Sequence, residues 1–211
     1  MRIKRTQIAA WSLTVLAVLG APRLDERVKN DLVIVTEVSL HPNETETLAG
    51  TYPSVTVYFD SGSLAVTGPG SKAEKVAVQR GKTVYAPAEP RTVTNGGAAD
   101  LRYVRVEFTS PGHSEMWGRT GLAPNYKVLL ENQYARAYDI RIPAHTNEPQ
   151  HTHHDRVVVC LSGAVLKHRF PDGREEPSTL KSGETAWRRG STHVGQNQGD
   201  TDLWVIAIEP K

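Results

Sequence analysis

The sequence predicts an all-β protein, and three observations carry that prediction. Apolar and polar residues alternate with a period of two in several short segments, and beyond residue 30 no long segment shows the helical period. Clusters of Gly, Pro, Asn and Asp separate these segments, with turns at Gly62, Gly163, Gly173 and Gly183. The clearest predicted strands are residues 33–40 (VIVTEVSL), 54–59 (SVTVYF), 135–142 (ARAYDIRI), 156–161 (RVVVCL) and 203–208 (LWVIAI).

The two halves of the chain match each other at a constant offset of 102 residues, the separation of Asn30 and Asn132. The offset also pairs Glu46 with Glu148, Val55 with Val157, Gly81 with Gly183, Asn95 with Asn197, Asp100 with Asp202, Leu101 with Leu203 and Glu107 with Glu209. A duplicated domain is the simplest account.

We predict one unit over residues 30–108, a linker over 109–127 and a second unit over 128–210. The linker carries the Gly/Ser/Pro-bearing segment 110–125 (SPGHSEMWGRTGLAPN). Because a unit of about 80 residues is small for a stand-alone core, we expect the two units to pack together.

The N-terminal residues predict export. Arg2, Lys4 and Arg5 precede an apolar run from Ile8 to Ala21, and polar sequence begins at Arg23. This is the layout of a secretory signal, and the run is shorter than the about 20 residues that a bilayer span needs. We therefore expect a signal peptide over residues 1–21 and a secreted or periplasmic protein. The alternatives are an uncleaved membrane anchor and a buried N-terminal helix of a cytoplasmic protein.

Charge and cysteine content exclude two classes of function. The 25 basic and 23 acidic residues give a formal net charge of +2, and no basic block lies outside the extreme N-terminus. Nucleic-acid binding is therefore not expected. Cys160 is the single cysteine, which excludes an intramolecular disulfide and a cysteine-based zinc knuckle.

Three histidines have the spacing of metal ligands. His151 and His153 are two residues apart at the mouth of a predicted strand, so both imidazoles face the same side. His193 follows about forty residues later and can meet the pair from an adjacent strand. Neutral imidazoles suit one divalent transition metal (Fe, Mn, Zn, Ni or Cu), and three of them leave positions open for water or substrate. The alternative, a solvated polar loop, is less favoured because the third histidine stands at this spacing.

At these residues the sequence resembles the cupin superfamily. The first family motif is Gly, five residues, His-x-His, three or four residues, Glu, six residues and Gly; this sequence keeps His151, His153 and Gly163. The second is Gly, five residues, Pro-x-Gly, two residues, His, three residues and Asn; this sequence keeps Gly183, Gly190, His193 and Asn197. The resemblance covers both units and implies two tandem cupin (double-stranded β-helix, or jelly-roll) barrels after the N-terminal segment. It also implies a metal site, which in many members has three His and one Glu, and makes a homodimer a further expectation.

The departures from the motifs bear on the site. His145 replaces the first glycine, the second motif is one residue short with Arg189 in place of its proline, and Arg156 stands where the glutamate falls. A guanidinium stays protonated, so Arg156 cannot ligate a metal, but it can clamp a carboxylate-bearing substrate beside one. Asp155 is an alternative ligand, although strand alternation turns it away from the site.

Further residues are placed around the same pocket. Val158 and Cys160 share the inward face with Arg156, and Tyr138 and Trp187 are predicted to line the pocket as well. For Cys160 and the two aromatic residues the alternative is a plain core role. We expect His154 at the surface and Asn197 in a turn, whereas His41, His113 and His168 have no identifiable partner.

In the first unit the matching ligand positions are Ala49, Thr51, Ser54 and Arg91, so no metal is expected there. We expect the first unit to complete the core or the interface. Tyr58, Arg91 and the neighbouring threonines could form a pocket for a ligand other than a metal.

Three function classes follow. The first is a mononuclear metal-dependent enzyme, dioxygenase-like, acting on a small anionic molecule. The second is a non-catalytic binding module for an anionic small molecule or glycan, and the third is a structural cupin with a relic pocket. The sequence shows no obvious general base in the pocket, which favours oxygen chemistry at a metal over hydrolysis or isomerisation.

Overall fold

The computed structural model describes residues 20–110 and 123–211. In these ranges all regular secondary structure is β-strand, as predicted. All but the end of the predicted signal segment lies outside the described residues, as does most of the predicted linker. The described residues include no helix long and apolar enough to cross a membrane.

Nine strands make up each half of the described chain. The first nine are β1 (Arg23–Lys29), β2 (Val33–Leu40), β3 (Thr45–Leu48), β4 (Ser54–Tyr58), β5 (Gly62–Thr67), β6 (Glu74–Val78), β7 (Thr83–Ala86), β8 (Arg91–Asn95) and β9 (Leu101–Phe108). The second nine are β10 (Tyr126–Glu131), β11 (Ala135–Ile142), β12 (His151–His153), β13 (Arg156–Ser162), β14 (Ala164–Arg169), β15 (Glu175–Leu180), β16 (Thr185–Arg188), β17 (Ser191–Asn197) and β18 (Leu203–Pro210).

The two halves have the same topology. The first forms a five-stranded sheet in the order β1-β2-β9-β4-β7 and a four-stranded sheet in the order β3-β8-β5-β6. The second forms sheets in the orders β10-β11-β18-β13-β16 and β12-β17-β14-β15, so each strand has its counterpart nine strands later. The pairs in both halves are antiparallel. Each half is thus a jelly-roll barrel, and the duplication seen in the sequence is a duplication of structure.

Each repeat begins earlier than the sequence pattern indicated. β1 precedes residue 30 and pairs with β2, and Tyr126 and Lys127 of β10 fall within the predicted linker. Both strands lie at an edge of a five-stranded sheet and are mostly exposed or half-buried. Their weak apolar alternation explains why the sequence pattern did not include them.

A hydrophobic core lies between the two five-stranded sheets and joins the barrels. It contains Val35, Val57 and Val106 from the first barrel, and Val157 and Ile206 from the second. Two further clusters fill the barrels themselves, around Leu64 and Tyr103 in the first and around Leu166 and Val205 in the second. The two barrels therefore pack together, as their small size predicted.

Candidate metal centre

The three predicted ligands converge in the second barrel. His151 and His153 lie on β12 and are buried, with the exposed Thr152 between them, as strand alternation requires. His193 on β17 lies directly opposite His151 in antiparallel register. One ligand atom from each of the three imidazoles lies within 4.8 Å of the others. Among the described residues, no other group of three His, Cys, Asp or Glu side chains is arranged in this way.

The ligand geometry fits one shared ion. His151 Nε2 and His153 Nε2 are 2.8 Å apart. Two imidazole nitrogens bound at about 2.1 Å and at a right angle to each other would stand about 3 Å apart. These nitrogens therefore need only a small adjustment to bind the same metal.

The environment disfavours the protonated form of two of the imidazoles, those of His193 and His153. Burial lowers the pKa of His193 to about 3, and the neighbouring His168, His151 and Arg156 act in the same direction. Burial also lowers the pKa of His153 far below its ordinary value, again with help from Arg156. A neutral imidazole offers the lone pair that a metal requires, so the site is prepared to bind a cation.

Glu148, which was not among the predicted site residues, stands beside the triad. Its carboxylate is buried, with Oε1 3.4 Å from His151 Nε2. Burial raises the pKa of Glu148, and in the described part of the chain no Lys or Arg lies within ion-pair distance of it. A signal was present in the sequence, because the repeat pairs Glu148 with Glu46.

Tyr126 was also missed, since it fell in the predicted linker. Its hydroxyl lies 2.9 Å from His151 Nε2 and 3.2 Å from His153 Nε2. It donates a hydrogen bond to Glu148 Oε2 at 3.2 Å, and Asn125 Nδ2 donates to the same oxygen at 3.3 Å. Because burial raises the pKa of Tyr126 well above its ordinary value, the phenol keeps its proton.

The first barrel shows how the carboxylate of Glu148 differs from its counterpart. Glu46 forms an ion pair with the buried Arg105 and accepts a hydrogen bond from Tyr103 at 2.6 Å. The repeat matches Arg105 with Ala207, so the second barrel lacks this cation. Since buried charges are normally paired or bound to metals, the three histidines beside Glu148 mark the place where a cation would compensate it.

Arg156 faces the same cavity as the histidines. It is buried, and its Nη1 donates to the carbonyl oxygens of His154 at 3.3 Å and Arg189 at 3.2 Å. Its buried Nε has no hydrogen-bond partner, and no carboxylate of the described chain lies within ion-pair distance. Burial lowers the pKa of Arg156, yet a guanidinium remains protonated at physiological pH. A cation with a free donor is therefore available to an anionic ligand.

The cavity next to these groups has a volume of about 450 Å³. Its apolar wall is formed by barrel-core residues, and its polar wall by the metal-ligand side and Arg156. The lining residues include Ile140, Ile142, Val158, Leu166, Glu148, His153 and His193. A volume of this order suits a small molecule.

His168 is a fourth histidine at the cavity. Its ring centroid is 4.5 Å from that of His193, and burial lowers its pKa. The sequence offers no partner for His168, because β14, which carries it, meets β17 only through sheet pairing.

The other predicted site residues differ in where they lie relative to the cavity. Val158 lines the cavity. Tyr138 is fully buried behind the triad, where its hydroxyl donates to Glu209 Oε1 at 2.6 Å and lies 3.2 Å from His153 Nδ1, so it positions a ligand instead of lining the cavity. Asp155 faces away from the histidines and binds Arg189 and the backbone amide of Gly190.

Trp187 and Cys160 require correction. Trp187 packs against the core between the barrels, because alternation in β16 puts Arg188, not Trp187, on the cavity side. Cys160 faces the interior of the second barrel but belongs to its packed core and does not line the cavity. Burial raises the pKa of Cys160 to about 11, as expected for an inert core thiol.

Asn197 was predicted to lie in a turn and His154 at the surface. Asn197 Nδ2 donates to the carbonyl oxygens of Ile142 and Thr201, so Asn197 holds a turn, as Asn95 does in the first barrel. His154 is half-buried instead of exposed, and its backbone amide donates to Glu209 at 3.2 Å.

Comparison with known proteins identifies the fold. No family model and no curated protein matches the sequence. Among solved structures, AerE from Microcystis aeruginosa is similar with a TM-score of 0.68 at 12% identity, over 93% of this chain and 95% of that one. A cupin 2 conserved barrel domain protein from Leptotrichia buccalis is similar with a TM-score of 0.59 at 14% identity, over 93% and 92% of the two chains.

Oxalate decarboxylase from Bacillus subtilis is also similar. A single-residue variant of that enzyme has a TM-score of 0.61 at 10% identity, over 91% of this chain and 77% of that one, and the enzyme is described with Mn(II) centres. At these identities the likenesses show the fold. The chain is a protein of the cupin fold, with two barrels.

Proposed function

We propose that the second barrel binds one divalent transition metal on His151, His153 and His193, and that it acts on a small carboxylate held beside the metal by Arg156. The observation that carries this proposal is the convergence of three buried imidazoles on one wall of a cavity that also presents an unpaired guanidinium. A neutral ligand set leaves the full charge on a divalent ion, which favours an anionic partner.

A bound metal would supply Lewis acidity toward a carboxylate oxygen and, if it is Fe, Mn or Cu, electron exchange with dioxygen. The protein's own residues supply the rest. Arg156 would bind a carboxylate by charge-assisted hydrogen bonds, and the apolar wall would exclude water from the remainder of the molecule. Tyr126 keeps a proton on its hydroxyl beside the ligand nitrogens, and Glu148 accepts a hydrogen bond from it.

The class of substrate is supported by the cavity and by a structural likeness. The cavity is small, and four arginines line it. Arg174, Arg188 and Arg189 pair with carboxylates of the protein, whereas Arg156 has no such partner in the described part of the chain and is left for one carboxylate of a ligand. Oxalate decarboxylase, a metal protein of the same fold, is named for a small dicarboxylate. The specific reaction is proposed as dioxygenase-like. Glu148 is a buried carboxyl group at the cavity and a candidate general base, so the lack of a general base no longer favours oxygen chemistry over hydrolysis or isomerisation.

Metal content is the first test. Untagged protein and the His193→Ala variant are analysed by inductively coupled plasma mass spectrometry, with His41→Ala, an exposed histidine of the first barrel, as the matched control. We expect about one equivalent of a transition metal in the wild type and in the control, and loss in His193→Ala. Absence of metal from the wild type after reconstitution with Fe, Mn, Zn, Ni and Cu would overturn the proposal.

Substrate turnover is the second test. Metal-loaded protein is screened with small mono- and dicarboxylates while dioxygen uptake and carbon dioxide release are measured. Substrate-dependent oxygen uptake that is lost in Arg156→Gln supports the dioxygenase-like reaction. Carbon dioxide release without oxygen uptake would replace it with decarboxylation, and a rise in melting temperature without turnover would indicate a binding module instead.

A further inference from the structure

The first barrel contains a second cavity, of about 130 Å³, at the place that the repeat matches to the metal centre. Arg91 on β8 stands at the position of His193, and Glu46 on β3 at the position of Glu148. A guanidinium cannot bind a metal ion, so the chemistry of this cavity differs from that of the second barrel.

The carboxylate in this cavity is already satisfied. Glu46 pairs with Arg105 through Oε1 and accepts the Tyr103 hydroxyl hydrogen bond through Oε2. Arg105 is in turn 3.3 Å from a carboxylate oxygen of Glu107. Both carboxylate oxygens of Glu46 therefore already have a donor, one from Arg105 and one from Tyr103.

Arg91 is different, because it meets only neutral acceptors. Its guanidinium donates to Ser54 Oγ at 3.1 Å and to the carbonyl oxygens of Pro87 at 3.2 Å and Glu89 at 3.3 Å. In the described part of the chain, no carboxylate lies within ion-pair distance of it. Burial and the nearby Arg105 lower the pKa of Arg91, but the group stays charged. Glu46 and Glu107 act on Arg91 only at longer range, so the cavity contains a guanidinium without a direct ion-pair partner among the described residues.

Tyr58 supplies a second free donor. It lines the same cavity, and its hydroxyl has no hydrogen-bond partner among the described residues. Burial raises the pKa of Tyr58 to about 12, so the hydroxyl keeps its proton at physiological pH. The remaining lining is largely apolar and includes Leu48, Val66 and Val93.

We propose that this cavity is a metal-independent binding site for a small monocarboxylate of the size of formate or acetate. The carboxylate oxygens accept hydrogen bonds from the Arg91 guanidinium and the Tyr58 hydroxyl, and a methyl group faces Val66 and Val93. The cavity has the size of one that holds a benzene-sized molecule, about 150 Å³, which restricts the ligand to a few heavy atoms. The site does not depend on the metal centre.

The test is an acetate titration of the ¹⁵N-labelled full chain, stripped of metal and carrying Arg156→Gln so that the second barrel does not bind the probe. Acetamide, which has the same shape without the charge, is titrated in parallel. We expect saturable amide shifts at Val84 and Val93 with acetate and not with acetamide. Arg91→Gln should raise the dissociation constant at least about tenfold, because it removes a charged donor.

Two further variants make the outcome decisive. Tyr58→Phe removes one hydroxyl without a change in charge and should raise the dissociation constant about threefold to tenfold. Arg102→Gln removes an exposed guanidinium that pairs with Asp60, so it should leave binding unchanged. Shifts that are absent, that acetamide reproduces, or that survive both Arg91→Gln and Tyr58→Phe would overturn the proposal. None of these results depends on the metal content of the second barrel.

Discussion

At the residue scale, the two matching glutamates show how one substitution changes the chemistry of a barrel. Glu46 is compensated by Arg105, whereas Glu148 has three histidines and the phenol of Tyr126 around it. Where the first barrel has a permanent guanidinium, the second has the small side chain of Ala207. A buried carboxylate without a resident cation is costly unless another cation binds, which links Glu148 to metal affinity.

Glu148→Gln should therefore weaken metal binding. The substitution removes the carboxylate nearest to His151. We expect the affinity for the metal to fall about tenfold to a hundredfold, the range typical of groups that support metal ligands. Competition with a chromophoric chelator measures the affinity, with the exposed Glu26→Gln as the control. Equal affinities for the wild type and Glu148→Gln would show that this carboxylate has no part in the site.

The stability of the metal-free protein should depend on pH through the buried imidazoles. The pKa of His193 is about 3 in the folded protein and about 6.5 in the unfolded chain. Below pH 6.5 the unfolded chain therefore binds more protons, and stability is lost as the pH falls toward 3, by up to about 1.4 kcal/mol per pH unit for each such histidine.

Chemical denaturation of metal-free protein between pH 7 and pH 4 measures this dependence. His193→Asn should flatten the curve, because it removes one of the groups that resist protonation. A wild-type stability that does not change over this range would contradict the buried, neutral state of His193.

At the element scale, three alternate residues of strand β17 point to the inside of the barrel and have different roles. His193, Gly195 and Asn197 are all buried. His193 is the candidate ligand, Gly195 leaves a space, and the Asn197 amide holds a turn. The space at Gly195 is occupied by Glu148, whose Oε1 would overlap a Cβ atom at this position. The backbone amide of Glu148 also donates to the carbonyl oxygen of Gly195 at 2.9 Å, so β17 helps to fix this carboxylate beside His151.

Gly195→Ala should consequently reproduce the effect of Glu148→Gln on metal affinity. The added methyl group displaces the carboxylate while all three histidines remain. Gly68→Ala is the matched control, because a Cβ atom there makes only ordinary contact with Ser71. If Gly195→Ala binds the metal as tightly as the wild type, the position of the Glu148 carboxylate does not affect metal affinity.

At the scale of the whole molecule, the core between the five-stranded sheets makes the two barrels one packing unit. Val106 and Ile206 are both fully buried in this core, although they belong to different barrels. A substitution here should destabilise both barrels together, since neither can keep this face covered alone.

Ile206→Ala should lower the free energy of unfolding by about 2–5 kcal/mol, the usual cost of such a cavity. Denaturation followed by probes in each barrel should show a single transition at a lower midpoint. Val165→Ala, at a residue with 48% exposure, is the control and should have little effect. Two separate transitions in the wild type would contradict a shared core.

Export is also a property of the whole chain. We propose that residues 1–21 direct secretion, and cleavage after Ala21 would leave β1 intact, because that strand begins at Arg23. Cell fractionation with mass spectrometry of the N-terminus tests this. Recovery of the protein from the cytoplasm with Met1 in place would contradict it.

The all-β class, the repeat and the convergence of the three histidines could all be predicted from the order of the residues. Period-two alternation puts His151 and His153 on one face, and the motif spacing added His193. These features depend on local geometry or on fixed spacing along the chain, so a single sequence is enough to detect them.

The groups that surround the triad became known only with the folded chain. Tyr126 and His168 come to it through pairing between distant strands, which no local pattern encodes. Glu148 lies only three residues from His151, and its match with Glu46 in the repeat was the sequence signal for it. Trp187 was misplaced for a related reason. The five-stranded sheet is buried on both faces, one inside the barrel and one between the barrels, so polarity along β13 and β18 does not show which face is the inner one.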